Sequence, residues 1–95
     1  MENVYKVELT RKARRNLNKI PQRITDNFWI WVEDVEMSGV RVARKTKSYH
    51  DEPLQGKRFG QRSIRLNQSY RAFYREKNNG VVELIEVLEI NKHDY

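Results

Sequence analysis

Six stretches of the chain alternate apolar and polar residues regularly enough to select an element. Residues 4–9, VYKVEL, place Tyr5, Val7 and Leu9 on one side and Lys6 and Glu8 on the other, the period of a half-buried strand. Thr10 is a suitable helix N-cap. Ala13, Leu17 and Ile20 then recur at i, i+4 and i+7, with Arg11, Lys12, Arg14 and Arg15 outside, which predicts a short amphipathic helix. Pro21 ends that helix and opens another. Ile24, Phe28, Trp31 and Val35 form its apolar stripe, and Gly39 is a natural stop. Trp29 and Trp31 are expected to be core or helix-packing residues, the alternative being a base-stacking platform. Residues 40–56 are irregular; helix can run on to Arg44 or Lys45, and Asp51, Pro53 and Gly56 mark loop. Ile64 and Leu66 share one strand face, with Ser63, Arg65 and Asn67 on the other. Asn67, Gln68 and Ser69 supply a turn into a strand from Tyr70 to about Arg75. Asn78, Asn79 and Gly80 predict a hairpin turn. The last strand, residues 81–90, is apolar on both faces and so belongs inside the sheet.

The predicted order is β-α-α-β-β-β, an α+β fold in one domain over residues 1–95. The last three strands form an antiparallel meander joined by the first strand. A helical hairpin covers one face of the sheet and leaves the other for a ligand.

Charge sharpens this picture. The net charge is +6, but residues 40–75 hold ten Lys/Arg against two Asp/Glu, while residues 76–95 hold two against five. A cationic middle third calls for a polyanion or an acidic protein partner. The chain has no cysteine, which excludes disulfides and thiolate metal sites. No apolar run approaches the roughly 20 residues of a membrane span. The first residues lack a signal-peptide apolar region. A cytoplasmic protein without membrane attachment or cofactor is expected.

The densest cluster is KRFGQRSIRLNQSYRAFYR, residues 57–75, where Lys57, Arg58, Arg62, Arg65, Arg71 and Arg75 are interleaved with Tyr70, Phe73 and Tyr74. A cationic strand face with aromatics suits a phosphate backbone and unstacked bases; the alternative is a solvated hairpin face. Both histidines, His50 and His93, lie in polar contexts, and His93 is followed by Asp94 and Tyr95. No spacing of metal ligands, phosphate loop or nucleophile elbow accompanies them. RNA cleavage through the 2′-hydroxyl needs a base, cations for the charge on phosphorus, and an acid for the leaving oxygen. His93 and His50 are the proton-transfer candidates. Arg65 and Arg71 are the phosphate clamps, and Asp94 and Tyr95 the orienters. The alternative for His93 and Tyr95 is a terminal tail without a role.

The run HDEPLQGKRFGQRSIRLNQSYRAFY together with the terminal NKHDY resembles the RelE/ParE superfamily of bacterial toxins, most closely its HigB-type mRNA interferases. The resemblance implies a RelE-like fold and a type II toxin–antitoxin system. It implies a ribosome-dependent endoribonuclease that cuts mRNA in the A site without a metal. The implied inhibitor is a cognate antitoxin of the helix-turn-helix, HigA-like kind. On this resemblance His50, Arg65, Arg71, His93, Asp94 and Tyr95 fall at catalytic positions. Lys57 and Arg58 fall where RNA is touched; Arg62 and Arg75, from the same cationic run, are further RNA-binding candidates. Asp51 and Glu52 stand between His50 and Pro53, where the family histidine usually abuts its proline. The superfamily also contains ParE-type gyrase poisons, which share the fold and are not expected to keep acid/base histidines. A non-catalytic RNA- or ribosome-binding module is the remaining alternative.

Overall fold

A computed structural model of the chain describes residues 4–92. The elements follow in the order β1 (Val4–Leu9), α1 (Arg11–Leu17), α2 (Gln22–Ser38), α3 (Val40–Ala43), β2 (Glu52–Pro53), β3 (Arg62–Arg65), β4 (Tyr70–Glu76) and β5 (Val82–Lys92). Single 3-10 turns occupy Lys47–Tyr49 and Gly56–Arg58. The sheet order is β1-β5-β4-β3-β2. β5 lies inside it, as its two-sided apolar pattern predicts. β2 to β5 pair antiparallel, whereas β1 runs parallel to β5, from Val4 opposite Val82 to Leu9 opposite Val87. The parallel pair follows from the helices, which carry the chain from β1 back across the sheet before the meander begins. The two-residue β2 is an addition to the expected order.

The helix signals act as expected. The Thr10 hydroxyl accepts the Ala13 N–H at 3.1 Å and donates to the Leu88 carbonyl at 2.7 Å. Ile24, Phe28, Trp31 and Val35 are buried along α2. Gly39 (φ 88°) ends α2 and donates its N–H to the Val35 carbonyl. A Cβ there would sit 2.8 Å from the Tyr5 ring, so glycine is needed for space as well as for φ. Trp31 packs against Tyr74 with ring centroids 5.4 Å apart, joining helix to sheet.

Trp29 corrects an expectation. It is 47% exposed, edge-on to Phe28, and lines a hollow with Leu9, Leu17 and Ile20. One residue past Phe28 lies about 100° around the helix, off the apolar stripe. The loop between β4 and β5 is also wider than a two-residue turn. Only Gly80 takes positive φ there, and the Asn79 side chain accepts the Val81 and Val82 N–H groups.

A bulge in β5 sets which side chains face outward. The register jumps at Phe73/Tyr74, whose partners are Glu89 and Val87, so Leu88 is the extra residue. Thr10 takes its carbonyl. Ile85, Val87 and Ile90 therefore all enter the core despite their uneven spacing. Glu86, Glu89 and Asn91 turn to the face away from the helices, beside Arg75, Phe73 and Arg71.

Candidate nucleic-acid interface

The β3–β4 hairpin and the turn before it carry the densest cluster of the sequence, but the cations there have different employments. Arg58 lies 4.0 Å above the Phe73 ring, donates to Gln61 and is ion-paired with Glu89. Burial pushes the Glu89 carboxyl up, but bonds from Arg58 and Asn91 and the nearby charge of Lys12 outweigh it, leaving it below its ordinary value. Arg75 bonds Glu86 at 2.7 Å. Arg62 Nε donates to Asp51 at 2.6 Å, and the Asp51 side chain is 1% exposed. These three cations are occupied by the fold.

Arg65 and Arg71 are different. They stand directly opposite each other on adjacent strands. Paired positions project to the same face, and like charges placed so repel. Among the described residues Arg65 has no ion pair, and Arg71 has one, to Glu52 at 3.7 Å. Asn91, opposite Arg71 on β5, adds no charge. Two guanidiniums held together at this cost concentrate positive charge of a kind that suits an anion. Lys57, exposed on the 3-10 turn before β3, has no ion pair among the described residues.

The segment before β3 brings proton-transfer groups to these arginines. His50 is exposed with φ 45° and ψ 48°, the one non-glycine with positive φ among the described residues. That conformation costs about 1–3 kcal/mol and is common at working sites. His50 lines an open groove of about 320 Å³ with Ser48, Arg65, Leu66, Asn67 and Gln68. Asn67 shapes its far wall by accepting the Ser69 and Tyr70 N–H groups. Glu52, on the edge strand opposite Ser63, is half exposed and adjacent to Arg71. Glu52 was not singled out from sequence. A signal existed, because Asp51 and Glu52 are the only acidic residues in 40–75.

His93, Asp94 and Tyr95 lie outside the described residues. Lys92, the last described residue, pairs with Tyr70, next to Arg71. No group of three or more His, Asp or Glu side chains that could hold a metal converges among the described residues. No helix there is long and apolar enough to cross a membrane.

No protein-family profile and no curated protein matches the chain. Solved structures do. The toxin–antitoxin complex RelBE2 from Mycobacterium tuberculosis matches with TM-score 0.68 and 26% identity, over 95% of this chain and 99% of that one. This chain has a RelE-like fold. The YoeB/ParE toxin from Agrobacterium tumefaciens matches at 0.65 and 22% identity, covering 94% and 99% of the two chains. The E. coli DinJ–YafQ toxin–antitoxin complex matches at 0.72 and 14%, covering 94% and 92%. These structural neighbours are toxins of toxin–antitoxin systems, within the RelE/ParE range expected from sequence. The RelE-like frame leaves the face bearing Arg65 and Arg71 uncovered by the helices.

Proposed function

We propose that this protein is the toxin of a type II toxin–antitoxin system and cleaves mRNA on the ribosome, in the manner of HigB-type interferases. The observation that carries the reading is the directly opposed Arg65–Arg71 pair, with Glu52 beside one arginine and His50 sharing a groove with the other. In the proposed reaction Glu52 takes the proton of a 2′-hydroxyl, and the 2′-oxygen attacks the adjacent phosphorus. Arg65 and Arg71 hold the phosphate oxygens while negative charge builds on them. The bond to the 5′-oxygen breaks, and that oxygen receives a proton from an imidazole, His50 or His93. The products are a 2′,3′-cyclic phosphate and a 5′-hydroxyl. Asp94 and Tyr95 orient the leaving side, and Lys57 contacts flanking RNA.

Two of the neighbours described above are toxin–antitoxin complexes, which supports an antitoxin as natural partner. An acidic antitoxin segment laid across the Arg65–Arg71 pair would silence it. Induced alone in a bacterium, the wild type should arrest growth, and Glu52→Gln and Arg71→Ala should not. Equal arrest by all three would remove the catalytic assignment.

One neighbour is named YoeB/ParE, and the fold is shared by cleaving and gyrase-poisoning toxins, so a gyrase reading is retained. It predicts broken DNA and intact mRNA after induction.

A further inference from the structure

Between Ala43 and Ser63 no residue is buried, yet this stretch carries His50 and Glu52. Apolar packing reaches it through Tyr49, partly buried against the core, and polar contacts hold the rest. Residues 49 to 52 alternate between anchored and open side chains. The Tyr49 hydroxyl donates to Asp34 on α2. Burial, followed by that bond, pushes the Tyr49 phenol well above its ordinary value, so it remains a donor. His50 is open. Asp51 turns inward, where it accepts from Arg62 Nε at 2.6 Å and from the Tyr74 hydroxyl, with Arg44 Nε at 3.6 Å. Arg44 reaches on to Glu76 at 3.2 Å, so two carboxylates face two guanidiniums. Glu52 is open again, beside Arg71.

We propose that Asp51 is a positioning residue, whose buried carboxylate, clamped by Arg62, Tyr74 and Arg44, pins His50 and Glu52 on either side of it against the Arg65–Arg71 pair. The physical reason is geometric. A left-handed residue between two anchors cannot relax without releasing one of them, so the unfavourable φ of His50 is held by the bonds of Tyr49 and Asp51. Neighbouring side chains in extended backbone point to opposite sides, so fixing Asp51 inward fixes Glu52 outward. The clamp is charged, which matters because a carboxylate without its guanidinium in a buried position is strongly destabilised and would pull the segment toward water.

The proposal rests on the RNA-cleaving reading of the same site, and the experiment has one arm independent of it. Asp51→Asn leaves Arg62 uncompensated and can lower stability by itself. The double variant Asp51→Asn/Arg62→Met removes both charges and restores a melting temperature near wild type. In steady-state cleavage of RNA on ribosomes, the double variant should lose ~10²-fold in kcat with KM within about threefold, since misplacing catalytic groups by an ångström has that effect. In the second arm, amide hydrogen exchange should speed up at least tenfold over residues 49–52, with α2 and β5 unchanged. A double variant with wild-type stability, kcat and exchange would overturn the proposal. If the wild type cuts no RNA, the functional reading fails, and the exchange arm alone decides whether Asp51 fixes the segment.

Discussion

The two sets of arginines on and behind the β3–β4 hairpin differ in what the fold asks of them. Arg58, Arg62 and Arg75 are each ion-paired with a carboxylate, Glu89, Asp51 and Glu86 respectively. Arg65 and Arg71 face each other, and among the described residues the one carboxylate ion-paired with either is Glu52, which is half exposed. All five belong to one cationic run, within which Arg65 and Arg71 are the clamp candidates from sequence. The difference teaches that local charge density marks a region, whereas the accounting of partners marks the site. Acidic residues of β5 occupy Arg58 and Arg75, and Asp51 occupies Arg62. The bulge at Leu88 aims Glu86 and Glu89 at the neighbouring cations and leaves neutral Asn91 opposite Arg71.

The sharpest way to break the comparison is to exchange the roles. Arg71→Ala should lower RNA cleavage by ~10²–10³-fold, the scale of removing one donor to a developing anion. Its melting temperature should hold or rise slightly, since a like-charge opposition is relieved. Arg62→Ala should do the reverse in thermal unfolding. It leaves Asp51 buried without its closest cation, a loss of about 3–5 kcal/mol.

Arg58→Met should be milder, because Arg58 is partly exposed and its place over Phe73 is worth about 0.5–2 kcal/mol. It should also alter the acid limb of stability. The folded Glu89 carboxyl titrates below its ordinary value of 4.5. Its contribution is therefore present above that value and lost as pH falls through the folded value. Acid titration of unfolding should show a shallower loss below pH 4.5 for Arg58→Met than for the wild type. On the alkaline side the sign is opposite. Burial and the bond to Asp51 raise the Tyr74 phenol above its ordinary 10.0, so stability should decline as pH rises past that value, less so in Tyr74→Phe. The smallest effect belongs to Trp29→Ala. With Trp29 half exposed, it should cost far less in thermal unfolding than Trp31→Ala, for which about 3–5 kcal/mol is expected.

Much of the frame was legible from local pattern. The α2 stripe, the Gly39 stop, the Thr10 cap, the Asn67 turn and the interior place of β5 rest on interactions within a few residues or on simple periodicity. The rest depends on contacts far apart in sequence. β2 is two residues long and exists because Glu52 and Pro53 lie beside Ser63 and Arg62; no periodicity fits in so short a piece. The carbonyl of the bulged Leu88 accepts from the Thr10 hydroxyl, 78 residues away. Arg62, expected among the RNA contacts, is ion-paired with Asp51, and nothing near Arg62 in sequence announces that pairing. Lys57 is exposed, whereas Arg65 and Arg71 are half-buried, and His50 borders the groove of Arg65.

The central claim is that the opposed pair, not the cationic run as a whole, acts on RNA. Mapping mRNA 5′ ends after induction of the wild type, Arg75→Ala and Arg71→Ala tests it directly. New codon-phased ends from the first two and none from the third are predicted. Equal cleavage by all three, or intact mRNA with the wild type, would contradict it.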